Sequence, residues 1–232
     1  MIYLYSGLPG SGKSYHVAKD ILRGRLRRSS FYMCNFPVSV SGVAELPSLD
    51  LTVDDALKAR QAWLDEGHTI TREGQIKLII DECQLVFNSR DWNTPSRRDW
   101  LSFFTQHRKL GFDVILIAQD ISMLDKQIRS VIEIDCHHYK LNNFGLAGSL
   151  LSLATLGHPV CHATYIVNGL RRANAGRVGH EFFFVRSGVY RVYDSHSLFG
   201  SALADKVAAH GATAPSGAGL PACSALNSDS GS

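Results

Sequence analysis

The chain has 232 residues, 45% of them hydrophobic and 19% charged, with a formal net charge of +3. That length holds one large domain, or one domain with an appendage, and buries a sizeable core. So small a charge does not mark a nucleic-acid binder by itself, and five irregularly spaced cysteines without a CxxC argue against a disulfide framework and for a reducing compartment.

Residues 2–5 read as a first strand that runs straight into a glycine-rich loop, unlike a signal peptide. Residues 13–24 read as a helix stopped by Gly24, and 31–36 as a strand ended by Pro37. Residues 38–51 read as a loop. Thr52-Val53-Asp54-Asp55 has the form of a capping box, with Val53, Leu57, Arg60 and Leu64 following at helical spacing and Gly67 closing the helix. The run Ile76-Lys77-Leu78-Ile79-Ile80 reads as a strand buried on both faces, the habit of a parallel sheet. Residues 97–110 read as a helix with Trp100, Phe103, Phe104 and His107 on one side and Gly111 at its end. Residues 114–118 form another apolar strand, 121–128 a short helical stretch and 130–139 a further strand. Residues 181–185 and 189–193 read as a hairpin around Ser187-Gly188.

Residues 141–170 contain no Asp, Glu, Lys or Arg. Their cleanest apolar part, 144–156, is shorter than the ~20 residues of a spanning helix, so it reads as buried or partner-facing. Residues 211–232 are mainly Gly, Ala, Ser and Pro and are expected to be disordered. The arginines cluster as Arg23, Arg25, Arg27 and Arg28, as Arg97 and Arg98, and as Arg171, Arg172 and Arg177. Each cluster is a solvated surface or an anion-facing or partner-facing patch. Strands alternate with helices to about residue 140, which predicts an α/β fold with a mostly parallel sheet. The expected organisation is one domain over residues 1–200 and a small-residue tail over 201–232.

Gly7-Leu8-Pro9-Gly10-Ser11-Gly12-Lys13-Ser14 matches G-x-x-x-x-G-K-[ST], after a strand and at the start of a helix. The glycines let successive N–H groups turn inward on phosphate oxygens, and the helix N-terminus adds its positive end. The stretch from Gly7 to Tyr15 is thus the expected cradle for ATP, with Lys13 reaching the β- and γ-phosphates and Ser14 a ligand of Mg²⁺. Ile80-Asp81-Glu82 ends a strand in two carboxylates. Asp81 is placed for the magnesium shell, the Walker B role, and Glu82 to polarise the attacking water. That pair marks hydrolysing ATPases rather than small-molecule kinases. Gln119, at the tip of the 114–118 strand, fits a sensor of the γ-phosphate. Arg108 and Arg129 are candidates for an arginine finger acting from a neighbouring subunit, although a cation beside a helix C-terminus such as Arg108 also needs only the dipole. Cys136-His137-His138 and His158-Pro159-Val160-Cys161-His162 match no zinc spacing, and alternation along a strand keeps neighbours from converging.

These residues together resemble the cytoplasmic ATPase domain of the zonula occludens toxin (Zot) family, which includes assembly ATPases of filamentous phages. The resemblance rests on the early P-loop, Ile80-Asp81-Glu82-Cys83, Gln106-His107-Arg108-Lys109-Leu110-Gly111-Phe112-Asp113, Gln119, Ile128-Arg129 and Val192-Tyr193-Asp194-Ser195-His196, and covers about residues 1–200. It implies a three-layer P-loop NTPase of the additional-strand type. It also implies an ATP-driven machine on the cytoplasmic side of the host bacterial inner membrane, threading phage DNA out while coat protein assembles. Implied partners are further copies of the chain, as in a hexameric ring, phage coat or assembly proteins, and phage single-stranded DNA. Family members carry a membrane anchor after the ATPase domain, and their toxin-like activity is ascribed to the periplasmic part beyond it. This chain has no spanning helix after residue 200. It is therefore either a truncated form or a variant that docks through a partner or through residues 144–156. Two other readings stay open. One is a P-loop kinase of a small substrate, with Arg90, Arg97 and Arg98 as a lid; the other is a viral DNA-packaging ATPase.

Overall fold

The apolar runs at residues 2–5, 76–80 and 112–117 become neighbours at the centre of one sheet. The structure, a computed structural model, describes residues 1–26, 30–48, 50–87, 95–143, 145–155, 158–167, 176–185 and 187–190. Among them eight strands pair in the order β3-β2-β4-β5-β1-β6-β7-β8. These are β1 (Ile2–Ser6), β2 (Phe31–Cys34), β3 (Val43–Glu45), β4 (Ile76–Ile80), β5 (Phe112–Ile117), β6 (Ile134–Lys140), β7 (Val160–Val167) and β8 (Arg177–Phe184). The pairings among β1 to β6 are all parallel, while β7 and β8 add antiparallel. Strand β5 lies between β1 and β4, the additional-strand order expected from the family resemblance.

Alternation sorts the sheet into two faces. Ile2, Leu4, Leu78, Ile80, Val114 and Leu116 share one face, where α2 (Val53–Asp65), α3 (Pro95–Gln106) and α4 (Lys126–Val131) cover them with Ala56, Trp100, Phe104 and Ile128. Full burial of each large apolar side chain contributes about 1.5–3 kcal/mol, so this face carries much of the stability. On the other face Tyr5 stacks on His16 of α1 (Lys13–Leu26) at 5.0 Å. The result is three layers, α/β/α.

Local chemistry explains the ends of the elements. The capping box at Thr52 forms: its Oγ1 accepts from Asp55 N–H at 3.3 Å, and Asp55 Oδ2 accepts from Thr52 N–H at 2.9 Å. Helix α1 runs on past Gly24 to Leu26. Gly24 is required there by packing rather than by a stop, because a Cβ would lie 1.9 Å from the Tyr32 hydroxyl. Helix α3 ends at Gln106, and Gly111, at φ +82, turns the chain into β5.

The region after β6 departs from expectation. Strand β6 begins at Ile134, because Ser130 and Val131 belong to α4. The expected hairpin of residues 181–185 with 189–193 lies partly outside the described residues, at 191–193. Strand β8 pairs with β7, and Ser187–Tyr190 is a single helical turn, α6. The apolar segment 144–156 supplies α5 (Gly145–Ala154), which exposes Leu146, Leu150 and Leu153 at i, i+4 and i+7. Among the described residues no helix is long and apolar enough to cross a membrane. The chain divides into a unit over Met1–Ser197 and another over Leu198–Ser232, and the expected tail lies outside the described residues.

Candidate functional site

The phosphate-type loop leaves β1 at Ser6 and enters α1 at Lys13, as the motif requires. Gly7, Gly10 and Gly12 take φ of +138°, +73° and +97°. At two of them space as well as backbone demands glycine. A Cβ on Gly7 would lie 2.5 Å from the His138 carbonyl oxygen, and one on Gly12 2.7 Å from Cys161 Sγ. The loop is tied down by Gly7 N–H donating to the Gln119 carbonyl at 3.1 Å and Ser11 N–H to that of Leu8 at 3.1 Å. Lys13 Nζ folds back and donates to the carbonyls of Gly7 at 2.6 Å and Leu8 at 3.1 Å. Burial pulls its ammonium below the ordinary lysine pKa, while Asp81 and Glu82 push it back up. The Ser11 hydroxyl is buried with no hydrogen-bond partner among the described residues. Outside the loop lies a cavity of about 350 Å³ lined by Gly10–Tyr15, Lys140, Pro159, Cys161 and Val185.

The two carboxylates stand at the tip of β4. Asp81 is buried, and Asn35, just past β2, grips its backbone from the side. Asn35 Oδ1 accepts from Asp81 N–H at 2.7 Å, and Asn35 Nδ2 donates to the Asp81 carbonyl at 3.1 Å. Asp81 Oδ1 in turn accepts from Glu82 N–H at 2.8 Å. Glu82 has φ +47°, the left-handed region, alone among the described non-glycine residues. Gln84 donates to its carboxylate, and Cys83 N–H donates to the Ile117 carbonyl at 2.9 Å, fixing the turn to β5. Gln119 follows β5 with an exposed side chain, and its carbonyl holds the start of the phosphate loop. Loop, carboxylate pair and Gln119 therefore meet at the C-terminal ends of β1, β4 and β5.

A family model for zonular occludens toxin (Zot) matches residues 1–197. The chain belongs to the Zot family. Among curated relatives it is similar to the gene 1 protein of Enterobacteria phage I2-2, at 32% identity over 86% of this chain and 58% of that protein. It is also similar to the gene 1 protein of Enterobacteria phage fd, at 30% identity over 53% of this chain and 37% of that protein. The chain thus spans little more than half of the longer-matched relative. Among solved structures, the N-terminal domain of zonular occludens toxin from Neisseria meningitidis superposes with a TM-score of 0.52 at 16% identity, covering 83% of this chain and 98% of that one. A second solved chain, an isolated ATPase domain, gives 0.51 at 10% identity, covering 80% and 84%. Both likenesses bear on the fold, a P-loop NTPase core with a mostly parallel sheet.

Not every expected residue of this Zot-family chain comes to the loop. Tyr15 turns its side chain away: its hydroxyl donates to the Phe184 carbonyl at 2.9 Å and its ring stacks on Phe183, fastening β8 to α1. Arg108 pairs with Glu133, which also accepts from Ile2 N–H, at the N-terminal end of β1. Four residue steps of β1, roughly 13 Å, separate that end from the loop. Arg129 lies in the last turn of α4, the helix leading from the end of β5 to the start of β6. Two residues escaped sequence reading. Asn35 carried a signal, as the polar residue inside the apolar run Phe31-Tyr32-Met33-Cys34-Asn35-Phe36. Cys161 carried none, since only the folded sheet brings β7 beside Gly12.

Proposed function

We propose that this Zot-family chain hydrolyses ATP and that hydrolysis drives assembly and extrusion of a filamentous phage. The observation that carries the reading is the Asp81–Glu82 turn held by Asn35 and Ile117 at the strand ends that bear the phosphate loop. The loop suits a polyphosphate: its buried Ser11 hydroxyl lacks a partner among the described residues, and Lys13 is held by main-chain carbonyls it can exchange for phosphate oxygens. Ser14 and Asp81 offer a hydroxyl and a carboxylate, hard oxygen donors of the kind Mg²⁺ takes. When bound there, the ion supplies charge neutralisation at the phosphate oxygens.

In this reading the cradle from Gly7 to Tyr15 and the Lys13 ammonium bind and orient the phosphates, through N–H groups other than those of Gly7 and Ser11, which donate within the protein, and with none from Pro9. Glu82 accepts the proton of the attacking water. Its left-handed backbone is a strain of the kind found at working sites. Gln119, whose carbonyl already holds Gly7, reports the γ-phosphate to β5. The gene 1 relatives support a role for a phage, and the motif resemblance narrows it to assembly at the cytoplasmic side of the host inner membrane. Self-association into a ring, coat or assembly proteins, and phage single-stranded DNA belong to the same reading. The exposed leucines of α5 are a candidate contact for a membrane or partner, and Arg108 or Arg129 a candidate finger toward a neighbouring copy.

The test compares nucleotide binding and turnover in the wild type and Glu82→Gln. The reading expects equal ATP affinity and a loss of turnover of about 10²-fold or more, the size of a general-base effect. Equal turnover in the variant removes Glu82 from the mechanism. A wild type that binds ATP without hydrolysing it removes the motor.

A further inference from the structure

Directly behind the phosphate loop lies a buried polar cluster that hydrolysis does not use. His16 follows Lys13 by three residues on α1 and is 1% exposed. Cys136 and His138 are two apart on β6, so both face α1, while His137 turns to the opposite face and meets Ser6 Oγ. His16 Nδ1 lies 2.9 Å from His138 Nε2, and Cys136 Sγ lies 3.9 Å from the same nitrogen. One ligand atom from each of the three falls within 4.8 Å of the others.

The outward nitrogens decide what the inward ones present. His138 Nδ1 is 2.9 Å from the Cys136 carbonyl oxygen and 3.3 Å from that of Ser6. Carbonyls only accept, so Nδ1 carries the proton and Nε2 turns a lone pair into the cluster. His16 Nε2 faces Glu181 Oε2 at 3.4 Å, Asp20 Oδ2 at 3.7 Å and the Tyr165 hydroxyl at 3.5 Å. Two carboxylates favour the proton at Nε2, which leaves a second lone pair on Nδ1 pointing at the first. Such a pair needs a proton or a metal ion between its members. Each histidine also donates outward to a carbonyl or carboxylate, the arrangement that orients imidazoles on a metal.

We propose that His16, Cys136 and His138 form a transition-metal site, for which Zn²⁺ is the best fit, joining α1 to β6. The donor set, two imidazoles and one thiol, suits zinc. Tetrahedral bonds to two nitrogens at about 2.0–2.1 Å place them roughly 3.3 Å apart, so the rings part by only a few tenths of an ångström. Binding replaces the thiol proton of Cys136, which leaves to solvent as the sulfur–metal bond forms. The ion braces the loop from behind: the His138 carbonyl lies against Gly7, and His16 N–H donates to the Gly12 carbonyl at 2.9 Å. The proposal is independent of the hydrolysis reading.

Cobalt(II) is the probe, added to the full chain purified without metal. The site predicts one equivalent bound, with tetrahedral d–d bands and a sulfur-to-cobalt charge-transfer band, all bleached by zinc. In Cys136→Ser the charge-transfer band disappears and cobalt affinity falls by more than about tenfold. His138→Gln gives the same loss if the serine variant does not fold. A wild type with no tetrahedral cobalt spectrum overturns the site. So does a charge-transfer band that survives the change at position 136, which would assign the sulfur to another cysteine.

Discussion

Glu82 is held with φ +47° by bonds on both sides, Asp81 Oδ1 on its own N–H and Ile117 on the next. A left-handed non-glycine residue costs about 1–2 kcal/mol, and glycine loses about 0.5–1 kcal/mol of extra chain entropy on folding. Glu82→Gly is therefore expected to raise stability slightly, by no more than about 1.5 kcal/mol, while abolishing turnover. Chemical denaturation of the variant checks this; a clear loss of stability would mean the backbone is not strained. At the other end of the sheet Asp113 pairs with Lys77 and the Met1 ammonium. Burial alone would raise its carboxyl, but these cations outweigh burial and hold it below the usual carboxylate value. The folded state thus binds the proton less readily than the unfolded chain. The stability from this group is complete above the unfolded value of about 3.9 and is lost as pH falls through the depressed folded value. Asp113→Asn should flatten the acid limb of a stability–pH curve; an unchanged limb would place the acid sensitivity elsewhere.

Elements meet where single residues permit close approach. Helix α1 begins against β7 because Gly12 has no Cβ to strike Cys161. Gly12→Ala adds a strained φ of +97° to that clash. Backbone strain of about 1–2 kcal/mol and overpacking of about 1–3 kcal/mol add to an expected loss of about 2–5 kcal/mol, with loss of nucleotide binding. Adding Cys161→Ala should recover the steric part and leave the backbone part. Full recovery, or none, would show that one of the two costs was misjudged. The same scale explains the stretch His107 to Asp113, which resembled a family signature beside a sensor strand. His107 Nδ1 bonds to the Phe104 carbonyl at 2.6 Å, Arg108 pairs with Glu133, Gly111 makes the turn and Asp113 anchors β5. The signature maintains the far end of the sheet and so positions β5 between β1 and β4.

Across the whole molecule, the parallel core joins to an antiparallel wing, β6 to β8, that supplies Lys140, Pro159 and Cys161 to the cavity beside the loop. That cavity, walled on one side by the wing, receives neither Arg108 nor the Tyr15 hydroxyl from the same chain in a catalytic pose. A hydrolase completed by a neighbouring copy should show specific ATPase activity that rises with protein concentration. Turnover measured over a dilution series, with size measured in parallel, checks this. Activity independent of concentration while the chain stays monomeric would mean that one copy suffices.

The phosphate loop and the carboxylate pair were legible in the residues, because each rests on local spacing: glycines at a turn, a lysine at a helix start, acids ending an apolar run; the additional-strand order of the sheet came with the family resemblance. The grip of Asn35 on Asp81, the placement of Arg108, the pairing of β8 with β7 and the meeting of His16 with Cys136 and His138 were decided by tertiary structure. Each joins residues between 25 and 122 positions apart or sets one strand beside another. Local propensity carries no information about such distances; only burial of both faces of a twisted, mixed sheet selects them.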